Sequence, residues 1–349
     1  MKVTWLALEW PNSHEHSGGV GRYLYRLATE MAQHVDLQVV TLEGADKISG
    51  VAFHELPRPR GRLSRYYVSP LRAYLAIRNL EYDVLHSHGD DWYLRGIESY
   101  VRTYYGTSRG EARSSSGLRK WNHLILARLE DGSAKRADLK LGISDESVKH
   151  FECQHLFPPL LTLPSRRATV RTEVPSIVFI GGFSGRKRGH MILETVMNLR
   201  EAGVEVDLNV VGPAADRHSW PEWVSHHAGL ADDEVADLVA TNWILAAPSE
   251  YEGFGIPVVE ALWLGTPAIT SPTPGSEYFS IFDETKDAPL YIVPDIDFAG
   301  VCAALISGRE AISESMTRQG RLLVQHVAEM GSAERLLAHY REVAQRGVS

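Results

Sequence analysis

Apolar positions in the first half of the chain fall into short runs set between amphipathic stretches. Val3 to Leu8, Leu37 to Leu42, Val84 to His86, Tyr100 to Tyr105 and Leu139 to Ile143 are short and apolar, and each run predicts a buried strand. Gly19 to His34 has helical spacing, and Ser144 with Asp145 forms an N-cap signal for a helix through Phe151. The second half repeats the alternation. Strands are expected at Ile177 to Ile180, Val206 to Val211, Trp243 to Ala247, Ala268 to Thr270 and Tyr291 to Val293, and helices at His190 to Glu201 and Asp232 to Ala240. Ala311 to Gln345 carries an amphipathic helical pattern. Strands alternating with helices predict an α/β chain built on parallel, doubly wound sheets.

Leu163 to Pro175 breaks the pattern with prolines, charges and no sustained apolar period, so it reads as an interdomain linker. The expected organisation is a first Rossmann-like domain over 1–165, a linker over 166–175, a second Rossmann-like domain over 176–330, and a helix over 331–349 able to pack back across the linker. Two such domains would face each other across a cleft, with ligands at the carboxyl ends of the strands.

The chain has 349 residues, 44% of them hydrophobic, enough for two cores. Cys153 and Cys302 stand in different halves, which indicates neither a disulfide framework nor a cysteine metal cluster. The opening residues read as a strand rather than a signal peptide and no run is long enough to span a bilayer, so a cytoplasmic setting is expected. Charge is uneven. Residues 1–170 hold 23 Lys and Arg against 19 Asp and Glu, whereas residues 171–349 hold 13 against 25. The basic cluster from Arg58 to Tyr67 reads first as a solvated arginine-rich loop, and second as a patch for an acidic acceptor or for peripheral contact with the inner face of an anionic membrane. No nucleic-acid-binding motif accompanies it.

The chemistry concentrates in Ser249 to Pro267, S-E-Y-E-G-F-G-I-P-V-V-E-A-L-W-L-G-T-P. A buried strand leads into a glycine turn, and the turn opens a helix with Pro257 in its first turn and Gly265 as its C-cap. Such a turn aims backbone N–H groups and a positive dipole end at one spot, which suits a phosphate. Glu252 in the turn and Glu260 in the helix flank that spot, as hydroxyl-binding carboxylates would flank the diphosphate of a sugar nucleotide. An unpartnered Glu260 inside V-V-E-A-L would cost several kcal/mol.

Together with S-G-G-V-G-R-Y (Ser17 to Tyr23), Y-D-V-L-H-S-H (Tyr82 to His88), G-I-S (Gly142 to Ser144), G-R-K-R-G (Gly185 to Gly189) and V-V-G-P (Val210 to Pro213), this block resembles glycosyltransferase family four. The resemblance implies the GT-B fold of two facing Rossmann-like domains and a retaining transfer of a hexosyl unit from a nucleoside diphosphate sugar to an acceptor hydroxyl. Cell-surface polysaccharide, glycolipid or glycosylated-metabolite synthesis is the expected setting. Neither cofactor nor metal is expected beyond the donor. By the same resemblance Glu252 contacts the transferred sugar, Glu260 holds the ribose, and the backbone of Gly253, Phe254 and Gly255 lies against sugar and phosphate.

Among Arg186, Lys187 and Arg188, the pair Lys187 and Arg188 is expected to neutralise the leaving diphosphate, with Arg186 a further donor contact. Gly19 is expected to present its amide to the donor phosphates. Gly182 and Tyr105 depart from the family pattern, which has Arg and His there. Tyr105, His88 and Glu277 are candidate sugar or acceptor contacts. The alternating pairs His14/His16 and His86/His88 have the spacing of zinc ligands on a strand, but structural or acceptor-side roles are expected for them. Alternatives are a nucleotide-sugar epimerase of the same fold and a non-catalytic sugar-nucleotide-binding subunit. A Rossmann dehydrogenase is disfavoured because G-G-V-G-R-Y lacks the G-x-G-x-x-G spacing.

Overall fold

The computed structural model describes residues 1–12, 19–113, 117–161, 163–165, 170–308 and 311–346. The chain divides into two compact units, Met1–Leu161 with Ala328–Ser349, and Thr162–Val327.

The first unit is built on a seven-stranded, all-parallel sheet in the order β3-β2-β1-β4-β5-β6-β7. Its strands are β1 (Lys2–Leu6), β2 (Asp36–Leu42), β3 (Ala52–Leu56), β4 (Val84–Ser87), β5 (Tyr100–Tyr104), β6 (Leu139–Gly142) and β7 (His155–Leu156). The helices are α1 (Gly19–Met31), α2 (Ser69–Ile77), α3 (Ser108–Arg113), α4 (Gly117–Ala134) and α5 (Asp145–Phe151), with Ser144 capping α5 by accepting from the Ser147 amide.

The second unit carries six parallel strands in the order β10-β9-β8-β11-β12-β13. They are β8 (Ser176–Ile180), β9 (Asp207–Val211), β10 (Ser225–His227), β11 (Ile244–Ala247), β12 (Ala268–Thr270) and β13 (Leu290–Ile292). Around them lie α6 (Gly189–Glu201), α7 (Asp232–Thr241), α8 (Ile256–Leu264), α9 (Pro274–Phe279), α10 (Asp295–Ile306) and α11 (Glu314–Met330). Both sheets reverse strand order beside their first strand, at β1/β4 and at β8/β11. A ligand crevice opens at such a point, beyond the carboxyl ends of the strands.

The amphipathic pattern from Ala311 to Gln345 forms two helices, α11 and α12 (Ala333–Arg346), the second within the terminal helix expected over 331–349. The break falls at Gly331, where a Cβ would stand 2.4 Å from the Pro158 carbonyl oxygen, so the backbones approach too closely for any other residue. Of the expected linker, residues 166–169 lie outside the described residues.

α12 belongs to the first unit, where Leu336, Tyr340 and Val343 share a core with Val3, Trp5, Leu24, Val39 and Val101. A buried polar knot fixes the helix there. The Tyr340 hydroxyl accepts from Trp5 Nε1 at 3.0 Å and pairs with His86 Nδ1 at 2.6 Å, while His86 Nε2 meets Thr103 Oγ1 at 2.8 Å. With both ring nitrogens engaged, His86 is a structural residue.

Tyr340→Phe keeps the ring but strands two buried nitrogens. Such orphaned groups cost about 1–3 kcal/mol each, so urea unfolding should show a loss of at least about 1 kcal/mol. Unchanged stability would mean that the knot contributes nothing net.

Candidate functional site

In the second unit the strand, turn and helix of the acidic block fold as their residues dictate. β11 ends at Ala247, the turn follows, and Gly255 enters α8 at φ 96°, a left-handed conformation that glycine adopts without strain. Pro257 sits in the first turn, and Gly265 closes the helix at φ 92°. The turn is held from two sides. Glu250 N–H donates to the Arg186 carbonyl at 2.8 Å, and Gly275 N–H donates to the Glu252 carbonyl at 2.8 Å. Gly275 is required there, because a Cβ would lie 2.6 Å from the Phe254 backbone. The Phe254 ring is core, packed against Tyr278 and Phe279, so only its backbone is available to a ligand. Gly253 is buried beside it, and Glu260 lies half-buried on α8.

Glu252 is the electrostatic centre. Its Oε2 accepts from Lys187 Nζ and from Arg186 Nη1 at 3.0 Å, and Arg186 also reaches the Tyr251 carbonyl at 3.2 Å. Burial pushes its pKa up, but Lys187 and Arg186 outweigh that and hold the carboxyl below its ordinary value. The three side chains are 21%, 24% and 41% exposed for Glu252, Lys187 and Arg186, so the cluster borders solvent. Lys187 and Glu252 line a hollow together with Ser249, Gly255, Thr273 and Ser276. Phe179 and Ile180 of β8 and Leu245 to Ala247 of β11 form its floor, which places it at the carboxyl ends of the strands flanking the switch point.

The third cation of the run turns elsewhere. A tight turn over Gly185–Lys187 ends at Arg188 with φ 55°, and its guanidinium meets Asp295 through two bonds, at 2.5 and 2.9 Å. It also donates to the Pro248 carbonyl at 2.5 Å and to Ser271 Oγ at 2.9 Å. Arg188 thus ties the ends of β11 and β12 to the start of α10, and it is not brought to Glu252. Asp295 gave no signal in the sequence, where it is one acid among several at a helix start. Nor did Asp216, whose Oδ2 accepts from the Phe183 N–H at 2.9 Å beside Gly182. Glu277 is exposed on α9 and does not line the hollow.

The remaining candidates lie in the first unit. His88, just past β4, and Tyr105, just past β5, are joined through Nδ1 and the phenol at 2.6 Å, and the Tyr23 ring of α1 meets Tyr105 edge-on. Burial, then His86 and Arg102, lowers the His88 pKa well below its ordinary value, and burial raises that of Tyr105 well above. The pair is therefore neutral at physiological pH. His88 Nε2 is buried with no hydrogen-bond partner among the described residues. Gly19 begins α1. Ser17, Gly18, His14 and His16 lie outside the described residues.

Because the folded pKa of Glu252 is depressed, its ionised form contributes stability at pH 7 that is lost as pH falls through the folded value. Glu252→Gln should be less stable than the parent at pH 7, and the gap should narrow as pH falls below the ordinary carboxylate range and close below the folded value. Thermal melts across pH check this; a gap independent of pH would deny the ion pairs a role.

Known proteins place this architecture. The model described as Glycosyltransferase Family 4 matches residues 17–161, and that described as Glycosyl transferases group 1 matches residues 174–307. The MMP α-(1→4)-mannosyltransferase of Mycolicibacterium hassiacum is 34% identical over 96 residues, which is 28% of this chain and 19% of that enzyme's length. Sucrose-phosphate synthase of Thermosynechococcus elongatus superposes with a TM-score of 0.77 at 18% identity, covering 98% of both chains. HepE of Anabaena, solved in complex with UDP-glucose, gives 0.67 at 12% identity over 99% of each. With one family model on each Rossmann-like unit and whole-chain likeness to these structures, the chain belongs to glycosyltransferase family four and has the GT-B fold.

Proposed function

We propose that this protein is a retaining transferase that moves a hexosyl unit from a nucleoside diphosphate sugar to a hydroxyl of a glycan or glycoside acceptor. The observation that carries the proposal is the pairing of Glu252 with Lys187 and Arg186 at the rim of the hollow beyond β8 and β11. Two cations at the mouth of a switch-point crevice suit a diphosphate, and HepE, with UDP-glucose in its structure, supports that donor class.

Lys187 and Arg186 both donate to Glu252. On donor binding they pass to the diphosphate, and the N–H groups at the start of α8 face the same charge. Glu252, relieved of two cations, then accepts hydrogen bonds from hydroxyls of the donor sugar, and Glu260 takes the ribose. As the anomeric bond to the diphosphate oxygen breaks, negative charge grows on that oxygen, where Lys187 and Arg186 stabilise it. The acceptor oxygen attacks on the face the diphosphate leaves, through an ion-pair-like state, and its proton passes to the departing oxygen. Arg188 acts through position alone, holding loop 185–188 to Asp295. In the first unit, the neutral pair of His88 and Tyr105 is suited to bonding a sugar or acceptor hydroxyl. No metal and no further cofactor enters the reaction.

Thermal-shift screening of sugar nucleotides identifies the donor, because a ligand that binds the folded state raises its melting temperature by mass action. With that donor, Glu252→Ala should cut transfer by at least about a hundredfold, while Lys187→Ala should weaken both donor binding and turnover. Glu252→Ala activity within a few-fold of the parent, or a covalent glycosyl adduct on Glu252, would overturn the mechanism. Tyr105→Phe, which leaves His88 Nδ1 without its partner, should lower kcat/KM about tenfold with donor affinity unchanged. Transfer rates and donor titrations on that variant separate the two effects.

A further inference from the structure

Two stretches of the first unit combine exposed apolar side chains with cations and contain no acid. Residues 56–80 hold six arginines, at 58, 60, 62, 65, 72 and 78, and neither Asp nor Glu. Residues 112–129 hold Arg113, Arg119, Lys120 and Arg128, and again neither Asp nor Glu. In a chain of net charge −8, this concentration of cations is local.

Each stretch contributes one helical face. Along α2 and the turn before it, Val68, Leu71 and Leu75 recur at helical spacing with exposures of 40%, 40% and 51%, while Ala73 and Ile77 on the opposite side are buried. Leu63, just ahead, is 75% exposed. Along α4, Leu118, Trp121 and Ile125 recur at the same spacing, exposed by 88%, 68% and 51%, and Leu126 and Ala127 are buried. Eight of the fifteen exposed large hydrophobic residues among those described fall in these two stretches. The faces adjoin, because the Tyr67 hydroxyl donates to Asn122 Oδ1 at 3.2 Å and so joins the residue before Val68 to the residue after Trp121. Arg62, Arg72, Lys120 and Arg128 are exposed around them. Arg65 is engaged with Asp90 at 2.9 Å and is not counted in this surface.

We propose that these two faces form a docking surface for an anionic lipid bilayer. The occupant follows from the chemistry. A polyanion such as nucleic acid or an acidic polysaccharide is served by the cations but gives no reason to expose Leu63, Leu71, Leu118, Trp121 and Ile125. A protein partner is matched by apolar area but gives no reason to exclude every carboxylate from 43 residues. A bilayer of anionic lipid accounts for both. Leucine, isoleucine and tryptophan enter the headgroup–acyl boundary, and arginine and lysine meet lipid phosphates beside them. Attachment through two such faces is peripheral and reversible. No helix among the described residues is long and apolar enough to cross a membrane. The arginine-rich segment reads from sequence first as a solvated loop and second as a patch for an acidic acceptor or an anionic membrane; the proposal takes up the second reading and joins the segment to α4. The proposal stands apart from the donor site, which lies in the other unit.

The test is co-sedimentation of the full chain with vesicles of phosphatidylglycerol and phosphatidylcholine, against vesicles of phosphatidylcholine alone. At about 0.1 M salt, where charges act over about 10 Å, the protein should bind the anionic vesicles and leave them at high salt. The triple variant Leu71→Ser, Leu118→Ser, Trp121→Ser and the triple variant Arg62→Glu, Arg72→Glu, Lys120→Glu should each lower the bound fraction about tenfold. Their circular dichroism and donor-induced thermal shift should match the parent, since all six side chains are exposed. Binding that ignores lipid charge, or no binding at all, would overturn the proposal. So would full binding by the apolar variant together with complete displacement by soluble heparin, which would identify a polyanion surface instead.

Discussion

A carboxylate held between two cations from a neighbouring loop is the interaction on which the candidate site depends. Glu252 stands in a glycine turn whose backbone has no regular ladder of its own, and Lys187 and Arg186 come from a second irregular loop. What keeps these loops in register is the polar stitching around them: Glu250 N–H on the Arg186 carbonyl, Gly275 N–H on the Glu252 carbonyl, and Arg188 gripping Asp295, Ser271 and Pro248. The ion pairs are partly solvated, so they are weak as a source of stability. Their importance is positional. They hold two cations where a diphosphate would need them, in a form that one anion can exchange for another.

The two units share one strand order and one rule for where a ligand sits, yet they place different chemistry at that position. The second unit has charge there, in Glu252, Lys187 and Arg186. The first has neutral hydrogen-bonding groups, buried His88 and half-buried Tyr105, beside a histidine that serves the fold by locking α12. Charge suits a leaving group that becomes more anionic, and neutral rings suit hydroxyls that do not. The outer helices of the first unit add a third kind of surface, apolar and basic, which neither core explains.

Much of this was readable from residues alone, and the exceptions have physical causes. The strand, turn and helix of Ser249 to Pro267 could be read because the backbone needs left-handed residues at 255 and 265, and glycine stands at both. The run Arg186-Lys187-Arg188 could not be apportioned, because its geometry turns on a positive φ at Arg188, a non-glycine residue that gives no hint of it. That one dihedral sends the guanidinium to Asp295, 107 residues away, a pairing that no local pattern encodes. Strands β7 and β10, of two and three residues, are too short to show a period. The tail shows two amphipathic helices in one continuous pattern, and what fixes the break between them is the approach of Pro158 to Gly331, a tertiary contact. The exposed face of α4 is not legible in the sequence, because Leu118, Trp121 and Ile125 have the spacing of core residues and burial alone distinguishes the two.

The central claim is that the crevice of the second unit takes a diphosphate through the loop at 185–188 and the turn at 251–255. Amide hydrogen exchange with and without a nucleoside diphosphate tests it without any acceptor. Protection should rise in both segments together. Unchanged exchange in both, with protection appearing elsewhere in the chain, would contradict the assignment.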